Sequence, residues 1–232
     1  MLTLLSFPGD DRHPSFSPFC LKAMCLLDMS GQDWEPSFTT DPSKMPYGRL
    51  PVLKTAEALI PDSGRIQVWL EERGAGFDDA LTAGERAHSH ALVRMVEDGL
   101  RYGLVHDRWL RDECWEVLRD QFFGALPVPL RGTIAGTARK RTRRMLEMQG
   151  TGQFSEADRL ARMARDLEAI RETLGNTDYL FGPEPSSADA AIVPVLDMIR
   201  ALPCETDLKA LVRDDARIDA YLDRAVVALY PS

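Results

Sequence analysis

The chain has 232 residues, 44% of them hydrophobic, which is enough material for a core without metal or disulfide support. Its 28 basic and 36 acidic side chains leave a formal charge of −8, which argues against nucleic acid or anionic lipid as a partner of the whole surface. No apolar stretch approaches the roughly 20 residues of a bilayer-spanning helix, and no secretory pattern of basic start, apolar core and cleavage site is visible. Cys20, Cys25, Cys114 and Cys204 are spread along the chain, a usage that suits free thiols in a reducing, intracellular compartment.

In chain order, Leu2 to Phe7 is a short apolar run ended by Pro8-Gly9, which predicts a buried strand and a loop. Ser17-Pro18 then supplies an N-cap acceptor and a first-turn proline, with Cys20, Met24 and Leu27 at helical spacing behind them. Trp34 to Phe38 reads as a second strand. Leu50-Pro51-Val52-Leu53 reads as a third, and Glu57 to Ile60 can pair back on it as a hairpin. Asp62-Ser63 precedes Ile66, Trp69 and Leu70, a capped amphipathic helix that ends near Gly74.

Beyond the glycine- and acid-rich stretch Gly74 to Glu85 the apolar period becomes helical, with Leu92, Val96 and Leu100 on one face and Leu160, Met163, Leu167 and Leu174 on another. No convincing strand is predicted there. Ser186 and Asp189 have capping-box spacing before a buried helix that Pro194 is positioned to kink, and a last helix covers about Asp215 to Leu229.

Three features carry chemistry. Ser17 stands at a helix start, where free N–H groups stabilise a thiolate; a serine there is a poor nucleophile without a base, but its hydroxyl can donate to another molecule's sulfur. It is equally a plain N-cap. Pro51, if cis, turns the backbone of Val52 toward an extended peptide ligand; as a lone strand-edge proline it reads as a turn. Asp62 suits an ammonium, and Ser63 with the helix N–H groups suits a carboxylate, the two ends of a γ-glutamyl amino acid.

These segments, SPFC at Ser17 to Cys20, GRLPVL at Gly48 to Leu53 and PDSGRIQVWLEE at Pro61 to Glu72, resemble the thioredoxin-type domain of glutathione S-transferases. PSSADAAI at Pro185 to Ile192 is similar to the capping segment of their helical domain, and SPFCLKAMCLLDMSG with LFGPEPSSADA looks most like the failed-axon-connections and metaxin-like branch. The resemblance implies an α/β plus all-α fold: a thioredoxin-like domain over residues 1–76, a linker at 77–84 and an all-helical domain over 85–232. It implies glutathione as co-substrate, with Ser17 in the thiol-activating place, backbone bonds from Val52, Asp62 and Ser63 on the γ-glutamyl end, and a polar contact from Arg49. It further implies a small electrophile conjugated to the glutathione thiolate, a homodimer and a cytoplasmic location, with no metal. A non-catalytic interaction module and a glutathione-dependent thiol reductase using Cys20 are the other readings.

Tyr102, His106 and Trp109 are candidates to line an apolar cleft for the electrophile. The basic run within Arg131 to Met145 reads as a solvated helix face, and His13, His88, His90 and His106 carry no metal-ligand spacing.

Overall fold

The computed structural model describes residues 1–124 and 126–231. Strands β1 (Leu2–Ser6), β2 (Trp34–Phe38), β3 (Val52–Lys54) and β4 (Leu59–Pro61) form one sheet in the order β2-β1-β3-β4. Helix α1 (Pro18–Met29) crosses over between β1 and β2, which run parallel with Leu2 opposite Trp34. A parallel pair needs such a crossover. β3 then pairs antiparallel with both β1 and β4, the second as the expected hairpin. β2 lies at the sheet edge, where Pro36 can be accommodated without losing a ladder bond.

Burial sets the layers. Every residue of α1 from Cys20 to Leu27 is buried, and α1 packs on helix α2 (Ser63–Glu71) through Ile66 and Leu70, with Leu4 and Leu53 from the sheet beneath. Each enclosed leucine or isoleucine contributes roughly 1.5–3 kcal/mol relative to exposure, so this small sheet is held chiefly by its helices.

The remaining described elements are helical: α3 (Ala83–Met95), α4 (Arg101–Leu110), α5 (Asp112–Phe123), α6 (Val128–Gln149), α7 (Glu156–Leu174), α8 (Ser187–Arg200), α9 (Asp207–Arg213) and α10 (Ala216–Leu229). A π-helical stretch, Val96–Leu100, joins α3 to α4 and keeps Leu92, Val96 and Leu100 inside. Helix α8 carries Pro194 within its length rather than ending there.

The chain divides into two compact units. The first contains Met1–Val93, Thr173–Pro194 and the segment from Ala220 onward; the second contains Arg94–Glu172 and Val195–Asp219. In the first, the acidic stretch around residue 78 is tied down. Phe77 and Leu81 are buried, and the Asp78 carboxylate accepts from the Ser187 amide at 2.9 Å and the Ser187 hydroxyl at 2.6 Å, capping α8. In the second, Cys114 and Cys204 form a disulfide with their Cα atoms 5.2 Å apart. This corrects the expectation of four free thiols: residues 90 positions apart are brought within bonding distance by the packing of α5, which spacing along the chain does not reveal. Cysteine usage therefore no longer argues for a reducing compartment.

Candidate functional site

Ser17 is the N-cap of α1, with extended backbone angles and its Oγ accepting from the Cys20 amide at 3.4 Å. Its own amide donates to Ser15 Oγ at 3.3 Å. A hydroxyl has two lone pairs and one proton, and the cap uses a single lone pair. The half-buried Ser17 hydroxyl also engages the Cys20 thiol, and it serves a group at the helix end, where the dipole favours negative charge, by turning its proton outward.

Behind it lies an enclosed polar cluster that sequence spacing does not reveal. Ser6, Ser15 and Cys20 have no exposed surface; Ser6 Oγ lies 3.2 Å from Ser15 Oγ, and the Cys20 thiol is held by the Phe7 backbone and the hydroxyls of Ser17, Ser6 and Ser15. Burial outweighs those hydrogen bonds and pushes the thiol up from its ordinary value. Cys20 packs with Leu50 and Val52 against Leu5, Phe7 and Met45.

The Leu50-Pro51 bond is cis. Val52 begins β3, opposite Leu5 on one side and Pro61 on the other, so the sheet flanks its backbone on both edges. Leu50, on the other side of the cis bond, has no backbone partner among the described residues. That residue was not singled out from sequence, because the signal is the bond isomer. Arg49 is exposed, and its side chain makes no ion pair or hydrogen bond among the described residues.

Asp62 caps α2 through a single carboxylate oxygen, Oδ1, which accepts from the amides of Gly64 at 3.0 Å and Arg65 at 3.3 Å. Oδ2 is left over. Asp62 holds this position at φ 78°, left-handed backbone that an L-residue adopts at a cost of order 1–3 kcal/mol. Its amide donates to the Pro51 carbonyl at 3.1 Å, which ties the cap to the cis turn. Ser63 is buried, with no side-chain hydrogen bond among the described residues. Ser17, Leu50, Asp62 and Ser63 all belong to the first compact unit.

The aromatic candidates sit in the second unit and are engaged locally. His106 Nδ1 lies 3.0 Å from Asp107 Oδ1, Arg101 stacks on Tyr102 at 4.1 Å, and the Trp109 ring centroid is 5.2 Å from that of Trp115 and 5.9 Å from that of Phe122. In the basic run Lys140, Arg141, Arg143 and Arg144 are exposed, whereas Arg139 turns back to bond the Trp109 and Leu110 carbonyls and Asp112. Among the described residues no group of three or more His, Cys, Asp or Glu side chains is arranged to hold a metal ion, and no helix is long and apolar enough to cross a membrane.

A glutathione S-transferase N-terminal domain matches residues 18–114 and a glutathione S-transferase C-terminal domain matches residues 140–224. The chain is 25% identical over 231 residues to the isoprene-epoxide–glutathione S-transferase of Rhodococcus sp. (strain AD45), covering 97% of each. It is 26% identical over 212 residues to Failed axon connections of Drosophila melanogaster, covering 87% of this chain and 51% of that protein. To metaxin-3 of Xenopus laevis it is 24% identical over 199 residues, covering 83% and 64%. The chain therefore spans between half and two thirds of the length of these last two relatives. Among solved structures it is similar in fold to glutathione transferase GSTFuA3 from Phanerochaete chrysosporium, with a TM-score of 0.65 at 18% identity and coverage of 100% and 98%. Glutathione transferase F2 from Populus trichocarpa follows at TM-score 0.61 and 15% identity, covering 97% and 92%.

Proposed function

Because this chain belongs to the glutathione S-transferase family, we propose that it binds reduced glutathione and conjugates the tripeptide's thiolate to a small electrophile. One observation carries the reading: the hydroxyl at the start of α1, the free backbone at the cis turn and the leftover carboxylate oxygen at the start of α2 match, in order, a thiol, an extended peptide and an α-amino acid.

In this reading Ser17 donates its proton to the glutathione sulfur. Together with the α1 N-terminus it stabilises the thiolate, so that a thiol with an ordinary value near ~8.5 loses its proton more readily at neutral pH. The Leu50 amide and carbonyl pair with the cysteinyl backbone; Val52, to which the resemblance assigns that role, is already flanked by two strands. Asp62 Oδ2 receives the γ-glutamyl ammonium while Ser63 and the α2 amides receive its carboxylate. Arg49, exposed beside the turn, is free to meet the glycyl carboxylate.

The thiolate attacks an electrophilic carbon. The Rhodococcus relative is named for an epoxide, which makes a small epoxide the first electrophile to try; sulfur–carbon bond formation then opens the carbon–oxygen bond and the oxygen takes a proton from water. A thiol-reductase role for Cys20 is disfavoured, since its sulfur is enclosed and held protonated.

Calorimetric titration with reduced glutathione, comparing wild type with Asp62→Ala, Ser63→Ala, tests the binding half. Binding that disappears in the double variant supports the site, and Ser17→Ala should then lower turnover of a small epoxide more than it weakens glutathione binding. No binding at millimolar glutathione would overturn the reading in favour of a non-catalytic interaction module. Sedimentation tests the accompanying homodimer.

A further inference from the structure

A cavity of about 320 Å³ opens in the second compact unit, walled by α7, by the turn that follows α6 and by the π-helical stretch before α4. This is within the size range of small-ligand pockets. None of Ser17, Leu50, Asp62 or Ser63 lines it.

Its chemistry is set by a three-residue rhythm on α7. Arg159, Arg162 and Arg165 follow at i, i+3 and i+6, so one side of the helix presents three guanidinium groups to the cavity. None of the three has a carboxylate within ion-pair distance among the described residues. Arg159 is the telling one. It is only 9% exposed, its side chain makes no hydrogen bond among the described residues, and it feels Asp107 and Arg111 through space alone. An enclosed cation without an ion-pair partner is unfavourable, a cost that an incoming anion offsets.

The rest of the wall gives the anion a shape. Arg162 lies 4.7 Å from the centroid of the Phe154 ring, which makes a flat surface backed by charge, and Met163 adds a buried apolar patch. The buried Thr151 contributes a hydroxyl with no partner among the described residues. Two carboxylates also face the cavity, Asp98 and Asp166, of which Asp98 is engaged by Arg94. Three cations against two carboxylates, one of them already paired, leave the site net positive.

We propose that this cavity is a binding site for a small aromatic acid, its anionic head taken by Arg159 and Arg162 and its ring laid against Phe154 and Met163. A guanidinium fork suits carboxylate and phosphate alike, so the head group is defined by charge and planarity of contact. The site is independent of the glutathione reading.

Phenyl phosphate is the probe, with inorganic phosphate and phenol as its two halves, each titrated into the full chain by calorimetry. Saturable binding of phenyl phosphate is expected, stronger than either half and weakening as salt is raised. Arg162→Gln, an exposed position that leaves the fold intact, should weaken it about tenfold, the loss of one charge-assisted contact. Phe154→Ala should weaken phenyl phosphate and leave inorganic phosphate unchanged, while Asp62→Ala, Ser63→Ala should change neither. No saturable heat at millimolar phenyl phosphate overturns the proposal. So does wild-type affinity in both Arg162→Gln and Phe154→Ala, or a loss of affinity in Asp62→Ala, Ser63→Ala, which would move the anion to the other site.

Discussion

The Tyr221 hydroxyl donates to Asp189 Oδ1 at 2.7 Å, joining α10 to the first turn of α8 between two side chains with no exposed surface. The same carboxylate accepts from the Leu180 amide at 3.0 Å and, through Oδ2, from the Ser186 amide at 2.8 Å and the Ser186 hydroxyl at 2.7 Å. Asp189 thus holds a loop, a helix start and a second helix at one point.

Removing one donor should cost less than removing the acceptor. Tyr221→Phe leaves Asp189 three donors and should lower unfolding free energy by about 1–2 kcal/mol, whereas Asp189→Asn strands several buried donors at about 1–3 kcal/mol each. Urea denaturation followed by circular dichroism separates the two.

The same residue sets a pH dependence. Burial outweighs the hydrogen bonds and lifts the Asp189 carboxyl above its ordinary range, so the folded chain keeps a proton there at pH values where the unfolded chain has released it. More protons bound in the folded state means stability falls as pH rises from about 4 through the raised value. The advantage of wild type over Asp189→Asn should therefore shrink as pH rises from about 4; a gap that widens instead would show that the hydrogen bonds win.

Thiol reactivity should divide the cysteines cleanly. Cys20 and Cys25 are free but buried, and burial pushes both thiols up, so neither should react with an aromatic disulfide reagent at about pH 8 until the protein is unfolded. Rapid native labelling of Cys20 would revive the thiol-reductase reading.

The Cys114–Cys204 disulfide closes a long loop, and cross-links of this kind contribute about 2–4 kcal/mol. Cys204→Ser should lower the thermal midpoint under oxidising conditions and match the wild type under strong reductant. Equal midpoints in both conditions would mean that the cross-link is not formed in solution.

At Gly103, α4 packs against side chains of α7 and α9. A Cβ there would stand 2.6 Å from Met163 Cε and 2.8 Å from Leu208 Cδ2. Gly103→Ala should destabilise by about 1–3 kcal/mol, and Met163→Ala in the same chain should recover part of it. Additive losses would mean the clash is relieved elsewhere.

Local chemistry was the legible part of this molecule. Ser17-Pro18 announced α1, Asp62 before an amphipathic period announced α2, and the spacing of Ser186 and Asp189 announced α8, because caps and periods act over three or four residues. What spacing cannot carry is which distant groups meet. Ser6 and Ser15 lie on a strand and a loop and reach Cys20 only through the fold; Cys114 finds Cys204 through helix packing; and Leu50 is left with a free backbone by a bond isomer that its side chain does not encode. The cap hydrogen bonds show the same limit in miniature. Ser186 donates its hydroxyl to Asp189 rather than accepting from the backbone, a reversal that spacing alone does not distinguish.

In the glutathione reading, the left-handed backbone at Asp62 sets fold and ligand against each other at one residue. Glycine adopts that conformation without steric cost, so Asp62→Gly would relax the turn while deleting the carboxylate left over for an ammonium. Under that reading, the substitution that makes this turn more robust is the one that removes amino-acid recognition.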